Sequence, residues 1–133
     1  MPLRPTPDAL RERAFAVLAE SVAGAAVLDL FAGTGSVGLE ALSRGAERVL
    51  FVEHHRAACR LIERNLARFA EAEGRARVLC RTAAEAVAAL ARSGERFNLA
   101  WADPPFESWL DGLRVLANLP EHPPLETIRS VGF

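Results

Sequence analysis

Apolar residues along the chain fall into two alternating rhythms. Short, nearly continuous apolar runs read as buried parallel strands, and stretches with apolar positions three and four apart read as helices. Leu10, Ala14, Val17 and Leu18 recur at helical spacing beside Phe15; Thr6 suits the N-cap and Pro7 the first turn, and the helix ends near Glu20. Residues 26–31, Ala-Val-Leu-Asp-Leu-Phe, form the first apolar run, and a helix continues through Leu39 to Leu42. A second strand, Val49 to Val52, ends at Glu53 and precedes a long helix over about 56–70. A third strand covers Arg77 to Arg81. Thr82-Ala83-Ala84-Glu85 then matches a capping box opening a helix to about Arg92. A fourth strand, Phe97 to Ala102, runs into Asp103-Pro104-Pro105-Phe106. A last helix over roughly 108–118 gives way to a tail with Pro120, Pro123 and Pro124.

Strands alternating with helices predict an α/β fold, a doubly wound, Rossmann-like parallel sheet with helices on both faces. The expected organisation is one domain over residues 1–133: an N-terminal helix at 1–20, a βα core at 26–118 and a Pro-rich tail at 119–133. Ligands of such sheets bind at the carboxyl ends of the strands, near the switch in strand order. Asp29, Gly33, Glu53, Thr82 and Asp103 all fall at or just beyond those ends.

Charge narrows the classes of partner. Sixteen basic residues, all arginine, face seventeen acids for a net charge of −1, which excludes a globally basic nucleic-acid binder but not a local basic face. Arg56, Arg60, Arg64 and Arg68 recur at i+4, a stripe that suits either RNA phosphate or plain solvation. Cys59 and Cys80 make no CxxC and read as two reduced core thiols in a reducing compartment. Prolines and charges interrupt any leader at the N-terminus, and no apolar run approaches the ~20 residues of a membrane span, so a cytoplasmic location is expected. His54-His55 has no partner at metal-ligand spacing; the pair reads as a loop, with His54 near any bound nucleoside and no metal expected.

The candidate chemistry gathers at the strand ends. Gly33 and Gly35 permit a tight turn and close approach by a ligand, and Gly38 lets the next helix pack on the strand; a plain strand-to-helix turn is the alternative. Glu53, twenty residues after Gly33, can accept both hydroxyls of a ribose, or be a solvated strand-end charge. Asp29 would repel a dinucleotide pyrophosphate and suits a ligand bearing an ammonium there, as S-adenosylmethionine does; the alternative is an acid capping neighbouring N–H groups. In Asp103-Pro104-Pro105-Phe106 the prolines fix the backbone and remove N–H donors. What remains, the Asp103 carboxylate and the Pro104 carbonyl, is an acceptor rim suited to the exocyclic amine of a base, with Phe106 a face for stacking. A rigid Pro-Pro loop is the alternative.

Val27-Leu28-Asp29-Leu30-Phe31-Ala32-Gly33-Thr34-Gly35 and Asp103-Pro104-Pro105-Phe106 resemble motifs I and IV of class I S-adenosylmethionine-dependent amino methyltransferases. Arg4-Pro5-Thr6, Arg11-Glu12, Phe15 and Gly38-Leu39-Glu40-Ala41-Leu42-Ser43-Arg44-Gly45-Ala46 narrow the resemblance to the bacterial 16S ribosomal RNA guanine-N2 methyltransferases, the RsmD family, over about residues 4–118. The resemblance implies methyl transfer from S-adenosylmethionine, leaving S-adenosylhomocysteine, to N2 of a guanine in small-subunit ribosomal RNA, naked or within a 30S particle. It implies that Asp29 and the loop Gly33, Thr34 and Gly35 hold the methionine part, with Phe31, Ala32 and Gly38 among the cofactor-binding residues. It assigns Glu53 to the ribose and makes Pro5 and Thr6 lesser candidates beside the cofactor; Thr82 stands where the family contacts the adenine, a contact that falls here to backbone at Ala83, with His54 near the adenosine, and Asp103, Pro104, Pro105 and Phe106 would hold the target base.

Three departures stand out. The family usually has Asp or Asn where this chain has Thr82, it begins with a basic Gly-rich segment before Arg-Pro-Thr, and the class I sheet has strand order 3-2-1-4-5-7-6 whereas four strands are legible here. The sheet is therefore expected to lack its last strands, leaving the fourth strand as an apolar edge, so that the chain self-associates through it or is marginally stable alone. Rival readings are a DNA adenine or cytosine amino methyltransferase, or a truncated fragment that binds cofactor without turnover.

Overall fold

The computed structural model describes residues 22–102. The N-terminal helix predicted over residues 1–20, the helix at 108–118, the Pro-rich tail, Thr6 and Asp103 to Phe106 lie outside the described residues. The described elements run β1 (Ala26–Leu30), α1 (Ser36–Ser43), β2 (Arg48–Glu53), α2 (Arg56–Ala67), a 3-10 turn (Ala70–Ala72), β3 (Ala76–Cys80), α3 (Ala83–Ser93) and β4 (Leu99–Ala102). The four strands form one parallel sheet in the order β3-β2-β1-β4. The chain winds outward from β1 to β3 and then returns to the other side of β1, so the switch in order falls between β1 and β4. This is the doubly wound, Rossmann-like arrangement expected from the sequence.

Side-chain alternation divides the core in two. Leu28 and Leu30 of β1, Leu50 and Val52 of β2 and Ala100 and Ala102 of β4 face α3, meeting Ala86, Val87 and Leu90. Val27, Val49, Phe51 and Leu99 face the other way, against Ala41 and Leu42 of α1 and Ile62 of α2. All five residues of β1 are buried, as a central strand covered on both faces requires. On α3 the expected capping box is present: Thr82 Oγ1 accepts from the Glu85 N–H at 3.2 Å, and Thr82 N–H donates to Glu85 Oε1 at 3.2 Å.

Boundaries shift where side chains take over backbone roles. β4 begins at Leu99 and not at Phe97, because Asn98 already closes the bottom of the β1 pairing with its backbone N–H to Ala26 O and its side-chain oxygen to Ala26 N, both at 2.8 Å. The helix predicted to about residue 70 stops at Ala67, where Arg68 caps it and the 3-10 turn follows. Cys80 corrects the reading of two core thiols: Cys59 is buried, but Cys80 ends the outer strand β3 and is exposed.

Gly38 is the closest point between α1 and the sheet. A Cβ there would stand 2.2, 2.6 and 2.9 Å from three ring atoms of Phe51, which is fully buried. Gly38→Ala is therefore expected to destabilise the domain by about 1–3 kcal/mol through overpacking, despite the ~0.5–1 kcal/mol that alanine gains over glycine inside a helix. Urea denaturation measures the loss, and Phe51→Leu in the same chain should recover part of it. A Gly38→Ala protein as stable as the parent would contradict the contact.

Candidate functional site

The site is built where β1 and β2 end side by side, Leu30 opposite Val52. The chain leaves β1 through alternating left-handed residues: Phe31 at φ 57°, Gly33 at φ 59° and Gly35 at φ 79°. Phe31 has no glycine's freedom there, and the conformation costs it about 1–2 kcal/mol; its ring packs against the α3 side of the core, which offsets that cost. Three hydrogen bonds donated by backbone N–H groups fix the loop: Ala32 N–H to Val52 O at 2.9 Å, Gly35 N–H to Ala32 O at 2.8 Å, and Gly33 N–H to the Glu53 side-chain Oε1 at 3.0 Å.

Glu53 is only 7% exposed, and both of its oxygens are engaged. Oε1 accepts from Gly33, and Oε2 accepts from the His55 N–H at 2.9 Å and lies 2.9 Å from His55 Nδ1. Burial pushes the carboxyl group's pKa up, but the backbone bonds from His55 and Gly33, the His55 ring and the nearby His54 together outweigh it and hold the group below its ordinary value of 4.5. Glu53 is therefore an anion at neutral pH. A carboxylate has about four acceptor directions, so hydroxyl donors from a ligand can be accepted beside these bonds or in exchange for the ring of His55. The glycine loop's N–H thus already faces a negative charge belonging to the protein, which is poor surroundings for a phosphate.

Asp29 adds a second buried acid, 1% exposed and in register with Phe51 and Trp101 on its two sides. Its Oδ2 accepts from the Gly38 N–H in the first turn of α1 at 3.1 Å. Gly35, the N-cap of α1, has no side chain to offer, so the strand supplies the cap that the helix lacks. Of the two readings of Asp29, the capping role is the one the geometry displays, and it fixes the carboxylate at the root of the loop. The predicted contribution of Gly38 to helix packing is displayed as well.

The remaining predicted residues are placed more loosely. Thr82 is exposed and engaged in the α3 cap, and Ala83 beside it is buried. Arg81 N–H donates to Glu53 O at 3.0 Å, which brings the end of β3 beside the β2 tip. His54 and His55 are exposed. Glu53, His54 and His55 each offer a ligand atom, all within 4.8 Å of one another, so the expectation that the histidines have no partner at metal-ligand spacing is corrected: the partner is Glu53 itself. The two cysteines also converge here. Cys59 donates to Glu53 O at 3.1 Å, and Cys80 Sγ lies 3.8 Å from His54 O. Burial, with the Cys80 thiol adding to it, pushes the Cys59 thiol up to about 12. Cysteines 21 apart in sequence meet only because β2 and β3 pair Glu53 with Cys80, a register no local pattern encodes.

Comparison with known proteins fits this geometry. Residues 1–131 match the family model described as conserved hypothetical protein 95. Ribosomal RNA small subunit methyltransferase D of Escherichia coli strain K12 is 42% identical over 108 residues, covering 81% of this chain and 52% of its own length. A solved Escherichia coli structure described as a candidate methyltransferase, yhhF, is 36% identical with TM-score 0.70, covering 90% of this chain and 66% of that one. The solved S-adenosylmethionine (SAM)-dependent methyltransferase of Agrobacterium tumefaciens is 25% identical with TM-score 0.64, covering 73% of this chain and 32% of that one. The chain spans about half the length of the curated relatives it matches. Matched over nearly all of its residues, the chain belongs to the conserved hypothetical protein 95 family, that of the RsmD-like methyltransferases.

Proposed function

We propose that this chain binds S-adenosylmethionine at the β1–β2 strand ends and moves its methyl group to the exocyclic N2 amine of a guanine in small-subunit ribosomal RNA. The observation that carries the reading is the pair of buried acids, Asp29 and Glu53, gripping the glycine loop and the helix behind it. A tight loop held by acids, and so averse to phosphate, fits a nucleoside that carries an ammonium and a sulfonium in place of phosphates. The family relatives named as ribosomal RNA methyltransferases support the same substrate class.

The residues divide the work by their chemistry. Glu53 accepts the ribose hydroxyls, with His54 at the rim; the loop from Phe31 through Gly35 closes over the methionine part; Asp29 supplies negative charge near its ammonium while holding α1. Thr82 and Ala83 border the adenine, and Thr6 the outer edge. Bound S-adenosylmethionine supplies a methyl on a sulfonium, a group that leaves without acid catalysis. Asp103 and the Pro104 carbonyl accept the two amine hydrogens and aim the nitrogen lone pair, while Pro105 stiffens the turn and Phe106 stacks the base. Asp103 or water takes the released proton. Alignment of amine and methyl is worth roughly 7–11 kcal/mol in well-positioned reactions. Work on ribosomal RNA places the protein in the cytoplasm; among the described residues no helix is long and apolar enough to cross a membrane.

The test is radiolabelled methyl transfer to 16S ribosomal RNA, 30S particles and duplex DNA. Transfer to the RNA or the particle, at a guanine N2, is expected; transfer to DNA alone would favour the DNA amino methyltransferase reading, and cofactor binding without turnover the inactive fragment. Asp103→Ala should lose at least about 100-fold in single-turnover rate, the scale of removing one oriented polar contact in the transition state, and keep its affinity for S-adenosylhomocysteine. Near-parental turnover would remove Asp103 from the role. Self-association belongs to the same reading: among the described residues β4 pairs with a strand on one side only. Light scattering at micromolar concentration should find a dimeric mass, and a clean monomer would refute pairing along that strand.

A further inference from the structure

Helix α2 carries its charge in a pattern that folding does not reward. Its buried side is Cys59 and Ile62, with Leu66 partly buried. Arg56, Arg60, Arg64 and the capping residue Arg68 are all exposed. At about 100° per residue, each i+4 step turns only about 40° around the axis, so the four guanidinium groups form one gently winding band on a single flank. The other residues in that band are Ala57 and Ala67, too short to screen the charge. Glu63 is the only acid on the helix, and it falls at the border with the buried side.

Like charges at i,i+4 destabilise a helix. Five of the seven described arginines outside the band are answered by the fold: Arg44 pairs with Glu40, Arg48 and Arg77 with Glu95, Arg81 with Glu85, and Arg75 donates to the carbonyls of Glu71 and Ala46; Arg92 and Arg96 stand apart from one another and form no comparable row. Among the described residues the four arginines of the band make no ion pair and no side-chain hydrogen bond. The concentration is also local, because the whole chain carries −1. The band begins at Arg56, directly after His55, whose backbone N–H holds Glu53, and runs about 18 Å away from the site at 1.5 Å per residue.

We infer that the arginine band of α2 is a docking surface for the sugar–phosphate backbone of the RNA strand that flanks the target base. This rests on the function proposed above. The band would position the strand by charge and carry no sequence information. Guanidinium groups suit phosphate oxygens because they can donate two parallel bonds.

The experiment measures binding of a fluorescently labelled 16S ribosomal RNA transcript across a salt series, with S-adenosylhomocysteine affinity measured on the same proteins. Each lost phosphate contact lowers the log–log salt slope by about 0.7–0.9. Arg60→Gln with Arg64→Gln should therefore lower the slope by about 1.5 and weaken RNA binding roughly tenfold near 0.2 M salt and roughly a hundredfold near 0.05 M, leaving S-adenosylhomocysteine affinity unchanged. Arg92→Gln with Arg96→Gln removes the same charge outside α2, from exposed positions, and should leave RNA affinity and slope near parental. Equal losses in the two double variants, no loss in the α2 variant, or a parent that binds S-adenosylhomocysteine but no RNA would each overturn the surface. A parent that binds RNA through α2 yet no S-adenosylhomocysteine would instead overturn the cofactor reading and leave the surface standing.

Discussion

One buried carboxylate holds the carboxyl end of the sheet together. Glu53 receives the Gly33 N–H with one oxygen and the His55 N–H with the other, so the loop after β1 and the loop after β2 share one anchor. Its own carbonyl receives Arg81 N–H and the Cys59 thiol, which ties in the end of β3 and the first turn of α2. Hydrogen bonds to a charged acceptor such as the Glu53 carboxylate are worth about 1.5–3 kcal/mol each, and Glu53 itself is buried. The left-handed turn at Phe31 and Gly33 is tied into this anchor, and α1 follows from the position the turn gives it.

A second acid repeats the logic one strand away. Asp29 caps α1 from inside the sheet, where Gly35 cannot. Gly38 then allows α1 to lie against Phe51 without a Cβ between them. The Gly33 N–H is thus already taken by the Glu53 anion, and the N–H of Gly38 by Asp29, which makes the loop poor surroundings for a phosphate. The proposed function rests on that difference from a dinucleotide site of the same sheet order.

Much of this was legible in the sequence because it is local. The apolar runs of β1 and β2, the Thr82–Glu85 capping box and the packing duty of Gly38 each depend on a few neighbouring residues. What escaped depends on distance. Asp29 reads equally as a ligand contact or a cap until α1 is placed over it. Glu53 reads as an open ribose acceptor, and its prior bonds to Gly33 and His55 emerge only when β1 and β2 lie in register. Cys59 and Cys80 look alike in composition; β3 being the outer strand is what exposes one and not the other. Asn98 shortens β4 through a side-chain bond across 72 residues, a separation no periodicity reaches.

The central claim is that Glu53 both organises the loop and receives the nucleoside. Backbone amide NMR on the isotopically labelled chain, titrated with S-adenosylhomocysteine, tests it most directly. The account predicts that the Gly33, Gly35 and His55 resonances shift together and saturate in the parent. In Glu53→Gln the same resonances should begin at altered positions, and saturation should require at least about tenfold more ligand, the factor that corresponds to 1.4 kcal/mol. Resonances of Gly33 and His55 that stay still while the ligand binds, or a Glu53→Gln chain that saturates as the parent does, would contradict it.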